Sequence, residues 1–302
     1  MTNQDHVAPG VGLPETKAAL ALRELPRPLV AVMSSGFFGF FAHAGFLQAL
    51  GDLGVEPQAY AGASSGALVA AYAAGGLAPG GMLELFKGLS RRDFWDPLPP
   101  AKMLKSLLKA GRGQTGYLRG LAFQRLLEQT LPCPTFEACP KGCLMVALDL
   151  AGGGRAVLTQ GPLAPAVRAS GAVPLLFAAV ELDGGLMVDG GLVDKAPLTA
   201  AVEHFGARSL VVHWLPSASL ERPPLAFLHK RLSPLALQSQ AVDLARQQHY
   251  LDQLALLRRQ GIQVLEVKGL GLPRPGPRRL ERGAEAFAAA RRQTLATLAP
   301  GV

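Results

Sequence analysis

The stretch Gln58–Ala74, QAYAGASSGALVAAYAA, indicates the fold class of this chain. Its first residues are strand-like, GASSG (Gly62–Gly66) is a sharp turn, and the alanine-rich remainder favours a helix that ends at two glycines. An earlier stretch follows the same plan, since the apolar run Pro28–Met33 leads through a tight loop into a run with helical spacing. Consecutive strand, loop and helix units predict an α/β fold with a mostly parallel sheet and helices on its faces.

The rest of the chain continues the alternation of strand and helix signals. Strand-like runs recur at CLMVALDL, RAVLTQ, SLVVHWL and IQVLEVKG, with helical runs between or after them. Residues 93–140 differ because polar turns flank two helical runs, and we predict a cap or insertion there. At 302 residues, one large domain is the simplest organisation. We therefore predict a flexible segment over residues 1–27, a single domain over 28–298 and a tail over 299–302.

The composition excludes several classes of protein. Hydrophobic residues make up 49% of the chain and charged residues 17%, which supplies a large core and excludes a disordered chain. The formal net charge of +8 favours anionic surfaces, but the basic residues are scattered without the stripe of a nucleic-acid binder. We expect no nucleic-acid partner. Cys133, Cys139 and Cys143 lack a fourth ligand for a closed zinc site, so we expect reduced thiols and no metal.

Several segments bear on membrane contact. The run from Ala59 to Ala78 has the length of a membrane span, but the GASSG turn breaks it, and we expect no transmembrane helix there. The N-terminal residues show no secretory signal, so we expect a cytoplasmic protein. Lys102, Lys105 and Lys109 recur at helical spacing in an apolar run. Their cationic face could rest on an anionic membrane, or it could be the solvated face of a core-packed helix.

Ser64 is the candidate nucleophile. It is the central residue of a G-x-S-x-G pattern, in which Gly62 and Gly66 allow the sharp strand-to-helix turn that holds a serine strained and exposed. The helix that follows would bring its positive N-terminal end near the serine oxygen. The alternative is that Ser64 and Ser65 merely cap this helix.

Asp189 is the candidate base, because a serine hydroxyl is a poor nucleophile until its proton is removed. It stands where a strand-like run ends, and Gly190 and Gly191 permit close backbone approach at the turn that follows. A free aspartate has a pKa of about 3.9, so this role requires burial that raises the pKa. Asp189 could instead only initiate the turn, or a histidine could be the base of a conventional Ser-His-Asp esterase. The histidines that follow the serine are His204, His213, His229 and His249, of which His213 fits the core.

The loop after the first strand supplies candidate donors for an oxyanion. Acyl transfer places negative charge on the carbonyl oxygen, which preorganised backbone amides stabilise. The backbone amides of Gly36 and Phe37 lie just before the N-terminus of a helix that packs on the same sheet. Together with the amide of Ser65, they could point at this oxygen. The same loop could be an ordinary strand-to-helix turn. Ester hydrolysis by these groups requires no cofactor.

Four motifs occur in order along the chain. AHAG (Ala42–Gly45) follows the first loop, and after it come GASSG, ASGAVPLLF (Ala169–Phe177) and VDGGLVDKAP (Val188–Pro197). Together they resemble the patatin-like phospholipase family over about residues 28–215. The resemblance implies a three-layer α/β/α fold, a Ser64 and Asp189 dyad without a catalytic histidine, and cleavage of ester bonds in phospholipids or related lipids. His43 matches a family histidine, and we interpret it as structural.

The chain departs from the family pattern at two places. Its loop reads SSGFFGFF where the family usually has several glycines followed by a basic residue, and Lys195 replaces a frequent asparagine. We predict that Lys195 alters how the Asp189 turn is held. We predict a serine acyl hydrolase that acts on phospholipids or related lipids through an acyl-Ser64 intermediate. The phenylalanine-rich loop keeps open one alternative, a catalytically weak or inactive lipid-binding or regulatory protein of the same fold.

Overall fold

The fold is built around a central β-sheet. The computed structural model describes residues 17–97, 99, 115–221, 233–277 and 279–300. The strands are β1 (Leu29–Met33), β2 (Ala59–Ala63), β3 (Gly116–Leu118), β4 (Gly142–Asp149), β5 (Gly154–Leu158), β6 (Leu175–Phe177), β7 (Val180–Leu182), β8 (Gly185–Asp189), β9 (Ser209–Trp214) and β10 (Gln263–Lys268). The main sheet has the order β10-β9-β1-β2-β4-β8-β7, and β5 also pairs with β4. Its first five strands are parallel, whereas β8 pairs antiparallel with both β4 and β7, and β5 pairs antiparallel with β4.

Helices cover both faces of this sheet. They are α1 (Lys17–Arg23), α2 (Phe40–Asp52), α3 (Ser65–Ala74), α4 (Pro79–Lys87), α5 (Leu121–Thr130), α6 (Leu163–Ser170), α7 (Leu198–Phe205), α8 (Ala218–Glu221), α9 (Pro234–Arg259) and α10 (Gly283–Leu298). Helices α2, α3, α4, α6 and α10 contribute to the core on one face, and α7 and α9 contribute to the core on the other. The predicted three-layer α/β/α fold is confirmed.

Strand β1 shows why the sheet needs both helical layers. Its alternate residues Leu29, Ala31 and Met33 belong to one core, and Val30 and Val32 belong to the other. A parallel strand buried on both faces is apolar at every position, which is what the sequence of β1 shows. The carboxyl ends of β1 and β2 lie side by side in parallel register, so the loops that follow them meet at one edge of the sheet.

The stretch from residue 93 to residue 140 contains β3 and α5. Strand β3 pairs with β6 in a separate two-stranded sheet. The buried Asp96 carboxylate accepts hydrogen bonds from the backbone N–H groups of Gly120, Leu121 and Ala122 at 2.8–3.0 Å, and it thereby caps the first turn of α5. The predicted basic face of Lys102, Lys105 and Lys109 lies outside the described residues.

The N-terminal boundary predicted from the sequence needs a correction. We predicted a flexible segment through residue 27, but Lys17–Arg23 forms helix α1. Leu22 and Leu25 are buried in the main core, and the Arg23 side chain donates a hydrogen bond to the Leu53 carbonyl at 2.9 Å. The two leucines give this segment enough apolar surface to pack on the domain.

The described part of the chain includes one long helix, α9, of 26 residues. None of the helices within the described residues combines the length and the apolarity that crossing a membrane requires.

Candidate active site

Ser64 lies at the junction of β2 and α3 in a strained backbone conformation. Its φ of 54° and ψ of −118° are unusual for a residue with a side chain. A Cβ on Gly62 would lie 2.3 Å from the Gly66 carbonyl carbon, and a Cβ on Gly66 would lie 2.1 Å from the Met33 carbonyl oxygen. Both positions therefore require glycine. This is the geometry of a nucleophile elbow, as the G-x-S-x-G pattern predicts.

Ser170 anchors this elbow. The backbone N–H of Ser64 donates to the Ser170 hydroxyl oxygen at 2.9 Å, and the Ser170 hydroxyl donates to the Val146 carbonyl at 2.7 Å. The fully buried Ser170 side chain thus ties the end of β2 to β4. The sequence contained a signal for this residue, because Ser170 belongs to the ASGAVPLLF motif, but we did not assign it a role.

Asp189 lies beside Ser64 at the carboxyl end of β8. The Ser64 side chain lies close enough to the Asp189 carboxylate to lower its pKa, and the backbone N–H of Gly191 donates a hydrogen bond to Oδ1 at 2.7 Å. Burial raises the pKa of Asp189 to about 6, although the Ser64 side chain, the Gly191 N–H and the nearby positive charge of Arg246 lower that pKa. The carboxylate is therefore a stronger base than a free aspartate, as its proposed role requires.

The turn after Asp189 is packed closely against its neighbours. A Cβ on Gly190 would lie 2.0 Å from the Val146 carbonyl oxygen, and a Cβ on Gly191 would lie 2.4 Å from the Ser35 hydroxyl oxygen. The turn is also joined to the first loop, because the backbone N–H of Ser35 donates to the Lys195 carbonyl at 2.7 Å. The two glycines thus bring the carboxylate and the loop after β1 together.

The loop after β1 forms a turn at Gly36–Gly39. The Gly39 N–H donates to the Gly36 carbonyl at 2.9 Å, and Phe38 has a positive φ of 54°. Among the described residues, no acceptor takes the backbone N–H of Gly36 or Phe37. Both residues border the same cavities as Ser64. No described backbone acceptor competes for these two amides, and their role in binding an oxyanion stays a prediction.

The phenylalanines of this loop do not all crowd the serine. Phe40 and Phe41 are buried in the core, where both pack against Phe86. Phe38 packs edge-on against Phe94, whereas Phe37 stays 65% exposed. Most of the aromatic surface that the sequence placed near the oxyanion loop therefore belongs to the core or to a cavity wall.

A pair of buried histidines supports the start of this loop. The Nδ1 atoms of His43 and His213 lie 2.9 Å apart, and His43 Nε2 donates to the Ser34 carbonyl at 2.8 Å. Because a carbonyl only accepts, His43 carries its proton on Nε2 and accepts at Nδ1 from His213. Burial lowers the pKa of His43 to about 3 and lowers that of His213 well below its usual range, so both rings are neutral.

Two cavities of different character meet at Ser64. We call the first the apolar groove; it has a volume of about 160 Å³. Of the described residues that line it, none is charged, and the wall is mainly aromatic and aliphatic, including Phe94, Trp95, Leu118, Phe123, Leu126, Leu176 and Phe177. The second, which we call the polar cavity, has a volume of about 490 Å³. Its lining includes charged side chains, namely Lys195, Arg246, Arg274, Asp189 and Asp243.

Histidines and metal ligands are placed as follows. No described histidine lines either cavity beside Ser64. His213 is buried in β9, His204 and His249 lie on the surface, and His229 is outside the described residues. In the part of the chain that the structure describes, no cluster of three or more histidine, cysteine or acidic side chains could hold a metal ion. The three cysteines are free thiols.

The fold and this site define an α/β protein with a serine on a nucleophile elbow and a buried carboxylate beside it. The family model described as patatin-like phospholipase matches residues 31–202, a range that includes both side chains. The match covers more than half of the chain, which belongs to the patatin-like phospholipase family. This membership supports lipid acyl hydrolase activity in general.

Two relatives from Mycobacterium tuberculosis (strain ATCC 25618 / H37Rv) are similar in sequence. The uncharacterized NTE family protein Rv1063c is 34% identical over 182 residues, which are 60% of this chain and 48% of the relative. The uncharacterized NTE family protein Rv2565 is 31% identical over 183 residues, which are 59% of this chain and 29% of the relative. This chain thus matches about half the length of the first relative and less of the second.

Among solved structures, VipD from Legionella pneumophila is similar in fold. It aligns with a TM-score of 0.50 and 16% sequence identity over 90% of this chain and 67% of that chain.

Proposed function

We propose that this protein is a serine acyl hydrolase that cleaves ester bonds of phospholipids or related lipids. The observation that carries the proposal is the proximity of the Ser64 side chain to the buried Asp189 carboxylate, at a strained elbow that opens onto an apolar groove. The apolar groove suits an acyl chain, because its walls offer aliphatic and aromatic contact without charge.

The reaction has two steps. In the first, Asp189 takes the Ser64 hydroxyl proton while Oγ attacks the ester carbonyl carbon, and the backbone amides of Gly36, Phe37 and Ser65 stabilise the oxyanion. The tetrahedral intermediate collapses, the alcohol leaves with the proton from Asp189, and the acyl group stays on Ser64. In the second step, Asp189 takes a proton from water, the resulting hydroxide attacks the acyl-serine, and the fatty acid leaves as Ser64 regains its proton.

The test combines covalent labelling with product analysis. A fluorophosphonate probe should modify the wild type at Ser64, and mixed lipids should release fatty acids that mass spectrometry detects. Ser64→Ala should abolish both. The matched control is Ser209→Ala, which removes a buried hydroxyl at the opposite end of the parallel sheet, where it has no partner among the described residues. Equal fatty acid release by wild type and Ser64→Ala would refute the assignment of Ser64 as the nucleophile.

The same experiment distinguishes the alternative of an inactive lipid-binding protein. The observation that favours this alternative is the position of Phe37 and Phe38, which line both cavities at Ser64. A wild type that binds lipid vesicles but neither reacts with the probe nor releases fatty acid would favour this alternative. Labelling of Ser64 together with fatty acid release would exclude it.

A further inference from the structure

We propose that the polar cavity binds an anionic group, a phosphate carried by the alcohol part of the ester. This inference rests on the proposed function, since it assigns the side of Ser64 that the acyl chain does not occupy. The boundary between the two cavities is formed by residues that line both, namely Gly36, Phe37, Phe38, Ser64 and Val173. An ester whose carbonyl lies at Ser64 with its acyl chain in the apolar groove directs its alcohol into the polar cavity.

The first supporting observation is the convergence of two cations on one hydroxyl group. Lys195 Nζ donates to the Ser217 hydroxyl oxygen at 2.9 Å, and Arg246 donates to the same oxygen at 3.0 Å. A hydroxyl oxygen has two lone pairs and one proton. With both lone pairs engaged by cations, Ser217 has only its proton left to offer to a ligand. All three groups therefore favour a ligand rich in acceptor oxygens.

The second observation is the depth at which these charges are held. Lys195 is 1% exposed and lies 4.6 Å from the centre of the Trp214 ring, whose face stabilises the ammonium group. The Arg246 Nε atom is buried and has no acceptor among the described residues. A buried donor of a cation is costly to leave without an acceptor, and an oxyanion from a ligand would satisfy the Arg246 Nε donor.

The third observation is that the acidic groups of the cavity are already engaged. Asp243 pairs with Arg246 at 2.6 Å and also accepts a hydrogen bond from Ser219. The Asp189 carboxylate accepts a hydrogen bond from the Gly191 N–H and lies beside the Ser64 side chain. Both carboxylates thus make contacts within the protein, while Arg246 Nε lacks an acceptor among the described residues. A phosphate provides several acceptor oxygens in one compact group, and a volume of about 490 Å³ suits a polar headgroup.

The residue that distinguishes this cavity was noticeable in the sequence. Lys195 stands where the resemblance predicts an asparagine, and we predicted that this change alters the turn after Asp189. The backbone carbonyl of Lys195 accepts a hydrogen bond from the Ser35 N–H in that region. The Lys195 side chain, in contrast, contacts Ser217 and Trp214 at the wall of the polar cavity. We infer that Lys195 is a specificity-determining residue for the alcohol part of the substrate.

The test compares two substrates that differ only in the phosphate, 1-oleoylglycerol and 1-oleoylglycerol 3-phosphate, both below their aggregation concentrations. The readout is the ratio of their kcat/KM values. The wild type should prefer the phosphate ester, and Lys195→Met should lower the ratio by about 10- to 100-fold, the usual effect of losing a charge-assisted hydrogen bond. Arg259→Met, on an exposed arginine of the same helix as Arg246, should leave the ratio unchanged. A wild-type ratio at or below one would overturn the proposal.

A binding measurement keeps this inference separate from the proposed function. Ser64→Ala should bind glycerol 3-phosphate but not glycerol in titration calorimetry, and adding Lys195→Met should weaken that binding at least tenfold. This outcome would support the anion site even if Ser64 proved not to be the nucleophile. Equal binding of the two compounds, or binding unaffected by the lysine change, would refute the site while leaving the hydrolase proposal intact.

A milder variant covers the case in which Lys195→Met does not fold. Ser217→Ala removes the shared hydroxyl without removing a charge, so it should fold and lower the same substrate ratio by about threefold to tenfold. If Ser217→Ala keeps the wild-type substrate ratio, the donors that meet at Ser217 do not bind the phosphate, and the proposal fails.

Discussion

The apolar groove and the polar cavity begin at the same serine but are built from different parts of the chain. The groove walls, apart from Pro277, come from residues 36–177, which lie within the range matched by the family model. The outer wall of the polar cavity comes from residues 215–286, beyond that range. The acyl side of the site therefore lies almost entirely in the matched family region, whereas the side that would face the alcohol combines Lys195 of that region with residues from the C-terminal third of this chain.

The largest expected effect removes the chemistry that both cavities share. Asp189→Asn should lower kcat by about 10³-fold or more, because the base is lost while the turn remains. The same variant should be more stable than wild type at pH 8. Folding raises the pKa of Asp189 from 3.8 to about 6, so the native state holds its proton more tightly and loses stability as pH rises through that range.

The stability difference for Asp189→Asn should amount to about 1–3 kcal/mol at pH 8 and should disappear near pH 4. Thermal melts of both proteins at the two pH values measure it. An asparagine variant that is less stable than wild type at pH 8 would contradict the assignment of a buried, unfavourably charged carboxylate.

A smaller effect should separate the groove from the cavity. Leu126→Gln places a polar group in the groove wall and should lower the kcat/KM ratio of long-chain to short-chain esters about tenfold, because long chains lose apolar contact. The preference for a phosphate on the alcohol should stay as in wild type. Leu256→Gln on the exposed side of α9 is the matched control, with 44% of the leucine exposed. A loss of phosphate preference in Leu126→Gln would break the division of roles between the two cavities.

The smallest effect concerns the pH profile. Activity on a neutral ester should fall as pH drops through about 6, because protonated Asp189 cannot accept the serine proton. Arg246→Met should move this midpoint upward by up to about one pH unit, since the positive charge of Arg246 lowers the pKa of Asp189. Leu126→Gln should leave the midpoint in place. Identical midpoints in all three proteins would show that the polar cavity is not coupled to the base.

Much of the fold could be predicted from the sequence because its signals are local. The strained elbow at Ser64 follows from two glycines between a strand and a helix, and the placement of His213 in the core follows from its apolar neighbours. The helix at residues 17–23 was missed because its anchors, Leu22 and Leu25, become informative only once the core they meet is known. Short apolar segments carry little periodicity of their own.

The polar cavity could not be predicted for a different reason. Arg246 and Asp243 lie on a long helix more than 170 residues after Ser64, and no sequence pattern indicates which turn of that helix faces the site. Lys195 was noticed as a departure from a motif, yet the direction of its side chain depends on Ser217 and Trp214. Tertiary packing alone brings these groups together.

The buried imidazole pair offers a spectroscopic consequence. His43 Nε2–H and His213 Nδ1–H are fixed in single tautomers and shielded from solvent. Their ring protons should exchange slowly enough to give separate downfield resonances in proton NMR, and because the pKa of each imidazole lies far below neutrality, those resonances should not titrate between pH 5 and 8. The His43 Nε2–H donates a hydrogen bond to the Ser34 carbonyl. The chemical shift of this proton would therefore report on the loop at Gly36–Gly39 directly, without a substrate and without turnover.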